Sequence, residues 1–109
     1  MAEVDDDRAA EALIETRVDP TGAPVVMVSG ELDISNAATL EATVESVTAT
    51  RPERLIFDLS RLRFMDSAGI AVLVGATSKA DSVHVRDPNP IVRRVIELTG
   101  LERVLPIEP

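Results

Sequence analysis

No cysteine occurs anywhere in the sequence, which removes disulfides, thiol nucleophiles and thiolate zinc sites from consideration. Aromatic side chains are almost as scarce, at 2%, so any core must be built from Val, Ile, Leu and Ala. There is one histidine, His84, and one lysine, Lys79. A lone histidine without cysteine does not make a transition-metal site, so neither a metal nor a cofactor is expected. Phosphate-cradling motifs are missing too. The five glycines, Gly22, Gly30, Gly69, Gly75 and Gly100, form neither Gly-x-Gly-x-x-Gly nor Gly-x-x-x-x-Gly-Lys-Ser/Thr. A Ser-His-Asp set could be drawn from Ser67, His84 and Asp66, but no nucleophile-elbow sequence supports it, and the chain is expected not to be an enzyme. The longest apolar run, Ile70 to Ala76, falls far short of the roughly 20 residues needed to span a bilayer. Met1 to Ala10 is acidic and lacks the apolar centre of a signal peptide, so a cytoplasmic location away from membranes is expected.

What the sequence does have is negative charge and aliphatic bulk. The formal net charge is −8, which argues against nucleic acid as the partner, because contacts to phosphate backbones draw on Lys and Arg. With 45% hydrophobic and 28% charged residues in 109 positions, the composition is that of one soluble globular domain. Residues 1–10, including Asp5-Asp6-Asp7, read as a disordered acidic tail, and residues 11–109 as the domain.

Alternation over Leu13–Val18 predicts a half-buried strand, Asp19-Pro20-Thr21-Gly22 a type I turn, and Val25–Ser29 a second strand completing a hairpin. Gly30-Glu31-Leu32-Asp33 is expected to break that strand. The spacing of Ala37, Leu40, Val44 and Val47 predicts a helix over 34–49, capped by Asp33 or Ser35 and ended by Arg51-Pro52. Arg54–Leu59 reads as a central strand and Ser67–Ser78 as a helix. Ser82–Arg86 is a strand, and Ile91–Thr99 a helix facing inward through Ile91, Val95 and Leu98, with Gly100 as its C-terminal cap. Val104–Ile107 is a last short strand or extended tail. The order β-β-α-β-α-β-α-β implies an α/β fold, a mixed sheet with parallel crossovers after the opening hairpin.

The segment Phe57-Asp58-Leu59-Ser60-Arg61-Leu62-Arg63-Phe64-Met65-Asp66-Ser67-Ala68-Gly69-Ile70 carries the functional argument. Sites in parallel α/β sheets form beyond the carboxyl ends of the strands. Ser67 is expected there, accessible on the first turn of a helix, beside the small residues Ala68 and Gly69 that would let another protein approach the backbone. A phosphate on Ser67 would be tolerated by the fold, because helix N-termini present free N–H groups and partial positive charge. It would add about −1.5 to −2 charge next to Asp66 and so disfavour an acidic or closely packed partner. The plainer reading of the same residues is that Asp66 or Ser67 merely caps the helix.

Three stretches resemble the STAS domain family, specifically its bacterial anti-sigma factor antagonists: Gly30-Glu31-Leu32-Asp33 with Ala37 and Leu40; Asp58-Leu59 with Phe64-Met65-Asp66-Ser67-Ala68-Gly69-Ile70; and Pro90 to Leu101. They occur in family order and span about residues 13 to 107. The resemblance implies a single STAS-like domain with an N-terminal hairpin and about three packed helices. It also implies a mechanism. The unphosphorylated antagonist binds an anti-sigma factor that is itself a serine kinase, and so frees the sigma factor. Phosphorylation of the serine after the aspartate, here Ser67, ends the binding, and a serine phosphatase resets it. Asp33, Asp66, Ser67, Ala68 and Gly69 would shape the docking surface.

The stretch Gly75–Asp87 departs from the family pattern by being about one helical turn shorter, which bears on the choice of partner. The alternatives are a STAS interaction subunit of a transporter or stress-signalling assembly without a phospho-switch, a small enzyme, and modification at Ser60 or Thr77 instead.

Overall fold

Turn chemistry sets the opening hairpin. In the computed structural model, which describes residues 12–108, β1 (Leu13–Val18) runs antiparallel to β2 (Pro24–Leu32), with Leu13 opposite Ser29 and Val18 opposite Pro24. The Gly22 N–H donates to the Asp19 carbonyl at 2.9 Å, and the Asp19 carboxylate accepts from the N–H of Thr21 at 2.9 Å and of Ala23 at 3.1 Å. Asp, Pro and Gly therefore do in the fold what their positions predict. The acidic segment 1–10 lies outside the described residues.

β3 (Arg54–Met65) pairs parallel with β2, and β4 (Ser82–Arg86) parallel with β3, giving the sheet order β1-β2-β3-β4. Three helices follow the strands in turn: α1 (Ala37–Val47), α2 (Ser67–Ala76) and α3 (Pro90–Leu98), with a 3₁₀ turn at Leu101–Arg103. They cover one face of the sheet. The main core is Val26, Val28 and Leu32 of β2, Leu55, Phe57, Leu59, Leu62 and Met65 of β3, and Val83 and Val85 of β4, packed with Leu40, Val44, Leu73, Val92 and Ile96 of the helices. It is aliphatic apart from Phe57, as the shortage of aromatics requires. Ala23, Val25 and Ile56 form a smaller cluster.

Several elements differ from the expectation. β2 and β3 are longer than read, because the ladder continues through two bulges. Between Met27 and Ser29 β2 advances two residues while β3 advances three, from Asp58 to Arg61. Between Gly30 and Glu31 a second extra residue enters β3, from Leu62 to Phe64. The Asp58 carboxylate accepts from the Ser60 N–H at 3.0 Å and hydroxyl at 2.7 Å, a local turn that accommodates the first extra residue. Gly30 does not break its strand. It sits within it at φ 87°, a backbone angle that favours glycine, beside the second bulge.

α1 starts at Ala37, three residues later than expected, because Asp33 and Asn36 knit residues 33–36 into a turn of their own. In α3 the buried residues are Val92 and Ile96. Val95 is half-buried, and Ile91 and Leu98 are exposed, correcting the inward face read from the sequence. The anchor is Asn89, whose carboxamide donates to the Leu62 carbonyl and accepts from the Val92 N–H, and this fixes which side of the helix meets the sheet. The expected last strand is a single parallel bridge, Ile107 to Val85. Glu108 ties it down, accepting from Arg86 at 2.8 Å and from Arg54 at 3.0 Å.

Candidate functional site

Two adjacent parallel strands end in register, Leu32 opposite Met65, and each is followed by an aspartate. The Asp66 N–H donates to the Leu32 carbonyl at 3.0 Å, so the ladder closes directly at the start of α2. This single bond brings the two separate sequence motifs, the one ending in Asp33 and the one containing Asp66-Ser67, to the same rim of the sheet.

Asp66 is the N-cap of α2. Its backbone is extended, and one carboxylate oxygen accepts from the N–H of Ala68 at 2.9 Å and of Gly69 at 3.2 Å. Two of the free donors of the helix end are thereby satisfied. Ser67 is the first helical residue and is exposed. The capping alternative is thus realised by Asp66, and the Ser67 side chain is left at the surface. Ala68 is half-buried.

Gly69 is buried, and the structure gives its missing side chain a use inside the fold. A Cβ at this position would lie 2.7 Å from Leu32 Cδ2 and 2.8 Å from Leu32 Cγ. The glycine lets the first turn of α2 lie on Leu32, which is fully buried. It therefore serves an internal contact, that of the first turn of α2 with Leu32.

Asp33 occupies the matching position after β2. Its carboxylate accepts from the Ser35 N–H at 2.9 Å and from the Ser35 hydroxyl at 2.5 Å, and these bonds hold its pKa below the ordinary carboxylate value against the opposing effect of burial. Asn36 closes the turn, accepting from the Asp33 N–H and donating to the Glu31 carbonyl, each at 2.9 Å. The loop is thus rigidly bonded, with Asp33 held as the anion.

Two apolar side chains at this end escape the sequence reading. Ile34 is 81% exposed and Phe64 is 47% exposed. Phe64 pairs with Glu31 on β2, and Ile34 follows Asp33 in the turn. Their signal is an apolar residue flanking each aspartate-bearing motif, but the helical spacing read over 34–49 masks it at Ile34. The two other hydroxyls considered are differently placed. Ser60 is committed to Asp58 at the bulge, and the Thr77 hydroxyl donates to the Val74 carbonyl at 2.6 Å.

Comparison with known proteins identifies the family of the fold. The model of the STAS domain family matches residues 14–109. The anti-sigma-F factor antagonist RsfB of Mycobacterium tuberculosis is 34% identical over 98 residues, covering 87% of this chain and 80% of that protein. An anti-sigma F factor antagonist of Paenibacillus polymyxa is 32% identical over 91 residues, covering 79% and 78%. The crystal structure of an anti-sigma factor antagonist from Mycobacterium paratuberculosis superposes with a TM-score of 0.82 at 34% identity, covering 92% of this chain and 87% of that one.

Proposed function

The chain belongs to the STAS domain family, and on that premise we propose that it is an anti-sigma factor antagonist switched by phosphorylation of Ser67. In this reading the unphosphorylated protein binds an anti-sigma factor with serine-kinase activity and frees the sigma factor. The kinase phosphorylates Ser67, the complex separates, and a serine phosphatase restores the binding form. The protein acts in the cytoplasm as a substrate of the kinase and has no catalytic role of its own.

The observation that carries the proposal is the exposed hydroxyl of Ser67 on the first turn of α2, next to a neighbour, Asp66, already bonded as the helix cap. An exposed hydroxyl can enter a kinase site without unfolding its surroundings. A phosphate there meets the positive end of the helix, so the fold tolerates it. The partner surface does not. About −1.5 to −2 of added charge arrives beside Asp33 and Asp66, in a chain whose net charge is already −8. Asp33, Asp66, Ser67 and Ala68 form the charged and small centre of the docking surface, Ile34 and Phe64 supply apolar area, and Gly69 acts from beneath through Leu32.

The direct test is calorimetric titration with the anti-sigma kinase of the same genome. Ser67→Ala binds as wild type does and stays bound in the presence of ATP. Ser67→Glu binds at least about tenfold more weakly, the size expected for an uncompensated charge in a contact surface, while its melting curve stays close to that of wild type. Unfolding by Ser67→Glu, or equal affinity of both variants, overturns the switch.

A further inference from the structure

β1 is the outermost strand of the sheet, and its outer edge has no strand partner among the described residues. It is six residues long, pairs with β2 without a bulge, and contains no proline or lysine. Its side chains are largely exposed, including Leu13 at 59% and Val18 at 68%. Open edges of this kind template pairing with a further strand unless charge or shape prevents it. Here the charges are arranged to favour a self-complementary pairing.

In an antiparallel pair, residues directly opposite each other project from the same face of the sheet. Two copies of β1 related by a two-fold axis perpendicular to the sheet must therefore match odd with odd and even with even. With the axis at Thr16, Glu15 lies opposite Arg17 of the second copy, and Arg17 opposite its Glu15. Ile14 lies opposite Val18 and Val18 opposite Ile14, while Thr16 meets its own counterpart. The segment Ile14-Glu15-Thr16-Arg17-Val18 is thus self-complementary in charge and in apolarity about its central residue. Moving the axis to Glu15 sets two glutamates opposite each other, and moving it to Arg17 sets two arginines. Both are disfavoured, and of the three registers centred on Glu15, Thr16 and Arg17 only the one at Thr16 pairs opposite charges.

From this we propose that β1 is a homodimerisation edge, through which two copies of the chain join their four-stranded sheets into one continuous sheet with the two-fold axis at Thr16. Arg17 already lies 3.8 Å from Asp58 of β3, with its side chain 54% exposed, so in the dimer it stands between Asp58 and the incoming glutamate. The dimer edge is two strands away from β3 and the Ser67 rim, and the inference does not depend on the switch.

Sedimentation velocity of the full chain, from about 5 µM to about 1 mM so as to span weak association, tests it with three variants. Wild type shows a concentration-dependent dimer. Glu15→Arg and Arg17→Glu, each placing like charges opposite one another, raise the dimer dissociation constant at least about tenfold. A one-to-one mixture of those two variants restores association, because the positive charge introduced by Glu15→Arg in one copy then faces the negative charge introduced by Arg17→Glu in the other. The double variant Glu15→Arg/Arg17→Glu also dimerises by itself. Circular dichroism melts check that each variant is folded, and if a single variant is not, the double variant decides. A wild type that is monomeric throughout, a dimer indifferent to the single reversals, or a double variant that stays monomeric overturns the proposal.

Discussion

Gly69 lies so close to Leu32 that a β-carbon at position 69 would sit 2.7 Å from Leu32 Cδ2, well inside van der Waals contact. The start of α2 and the end of β2 are thereby held in a fixed relation, and the two residues between the cap and this contact are Ser67 and Ala68. The candidate switch residue is positioned from below by a packing contact and from behind by a cap.

Gly69→Ala should destabilise the fold by about 1–3 kcal/mol, the usual cost of forcing one extra carbon into a packed site. Leu32→Ala should cost about 2–5 kcal/mol as a buried large-to-small change. The informative result is the pair. In the Leu32→Ala background the clash is gone, so Gly69→Ala should cost far less than it does alone, a coupling that urea denaturation of the four proteins measures. Simple additivity would mean that the two residues do not bear on each other.

Asp66 should contribute mainly as a hydrogen-bond acceptor for the first turn. Asp66→Ala should lower stability by about 0.5–2 kcal/mol through loss of the cap, while Asp66→Asn, which keeps an acceptor oxygen, should lose only a small part of that. Thermal melts of the two variants check the ranking. If Asn proves as costly as Ala, the carboxylate charge outweighs the two hydrogen bonds from Ala68 and Gly69.

Asp33 should titrate below the ordinary aspartate value of about 3.9, because the Ser35 hydroxyl and N–H bond its charged form. The sign follows from linkage. A group whose pKa is depressed in the folded state adds stability above its unfolded pKa, and that stability is lost as pH falls through the folded value. An NMR titration of the Asp33 carboxyl carbon reads the midpoint directly. Ser35→Ala should move it upward, since the largest lowering cause is the hydroxyl bond; an unchanged midpoint would show that the backbone N–H suffices.

Much of the fold is legible in the sequence because its signals are local. The Asp-Pro-Thr-Gly turn and the spacing of Ala37, Leu40 and Val44 each report on their own neighbourhood, and each holds in the structure. The strand read over Leu13–Val18 also forms, but as the sheet edge it is largely exposed and not half-buried, with only Ile14 partly covered. The second half of β3 is hidden for an equally local reason. Its core-facing residues run Phe57, Leu59, Leu62, Met65, so the period of two stretches to three where each bulge inserts a residue. A strand with that spacing does not look like one. In α3 two apolar sets share helical spacing, Ile91-Val95-Leu98 and Val92-Ile96, and only the anchoring of Asn89 on the Leu62 carbonyl decides between them. The site divides in the same way. Asp66 and Ser67 are contiguous and could be found as a motif. The Leu32–Gly69 contact and the juxtaposition of Asp33 with Asp66 join distant segments, and no local pattern announces them.

The central claim is that Ser67 is the residue a partner kinase modifies. Intact-mass spectrometry after incubation with ATP and the anti-sigma kinases of the source genome tests it most directly, with wild type and Ser67→Ala treated side by side. The account predicts a single phosphate on wild type and none on Ser67→Ala. Equal labelling of both proteins, or no labelling of wild type by any of the kinases, would contradict it.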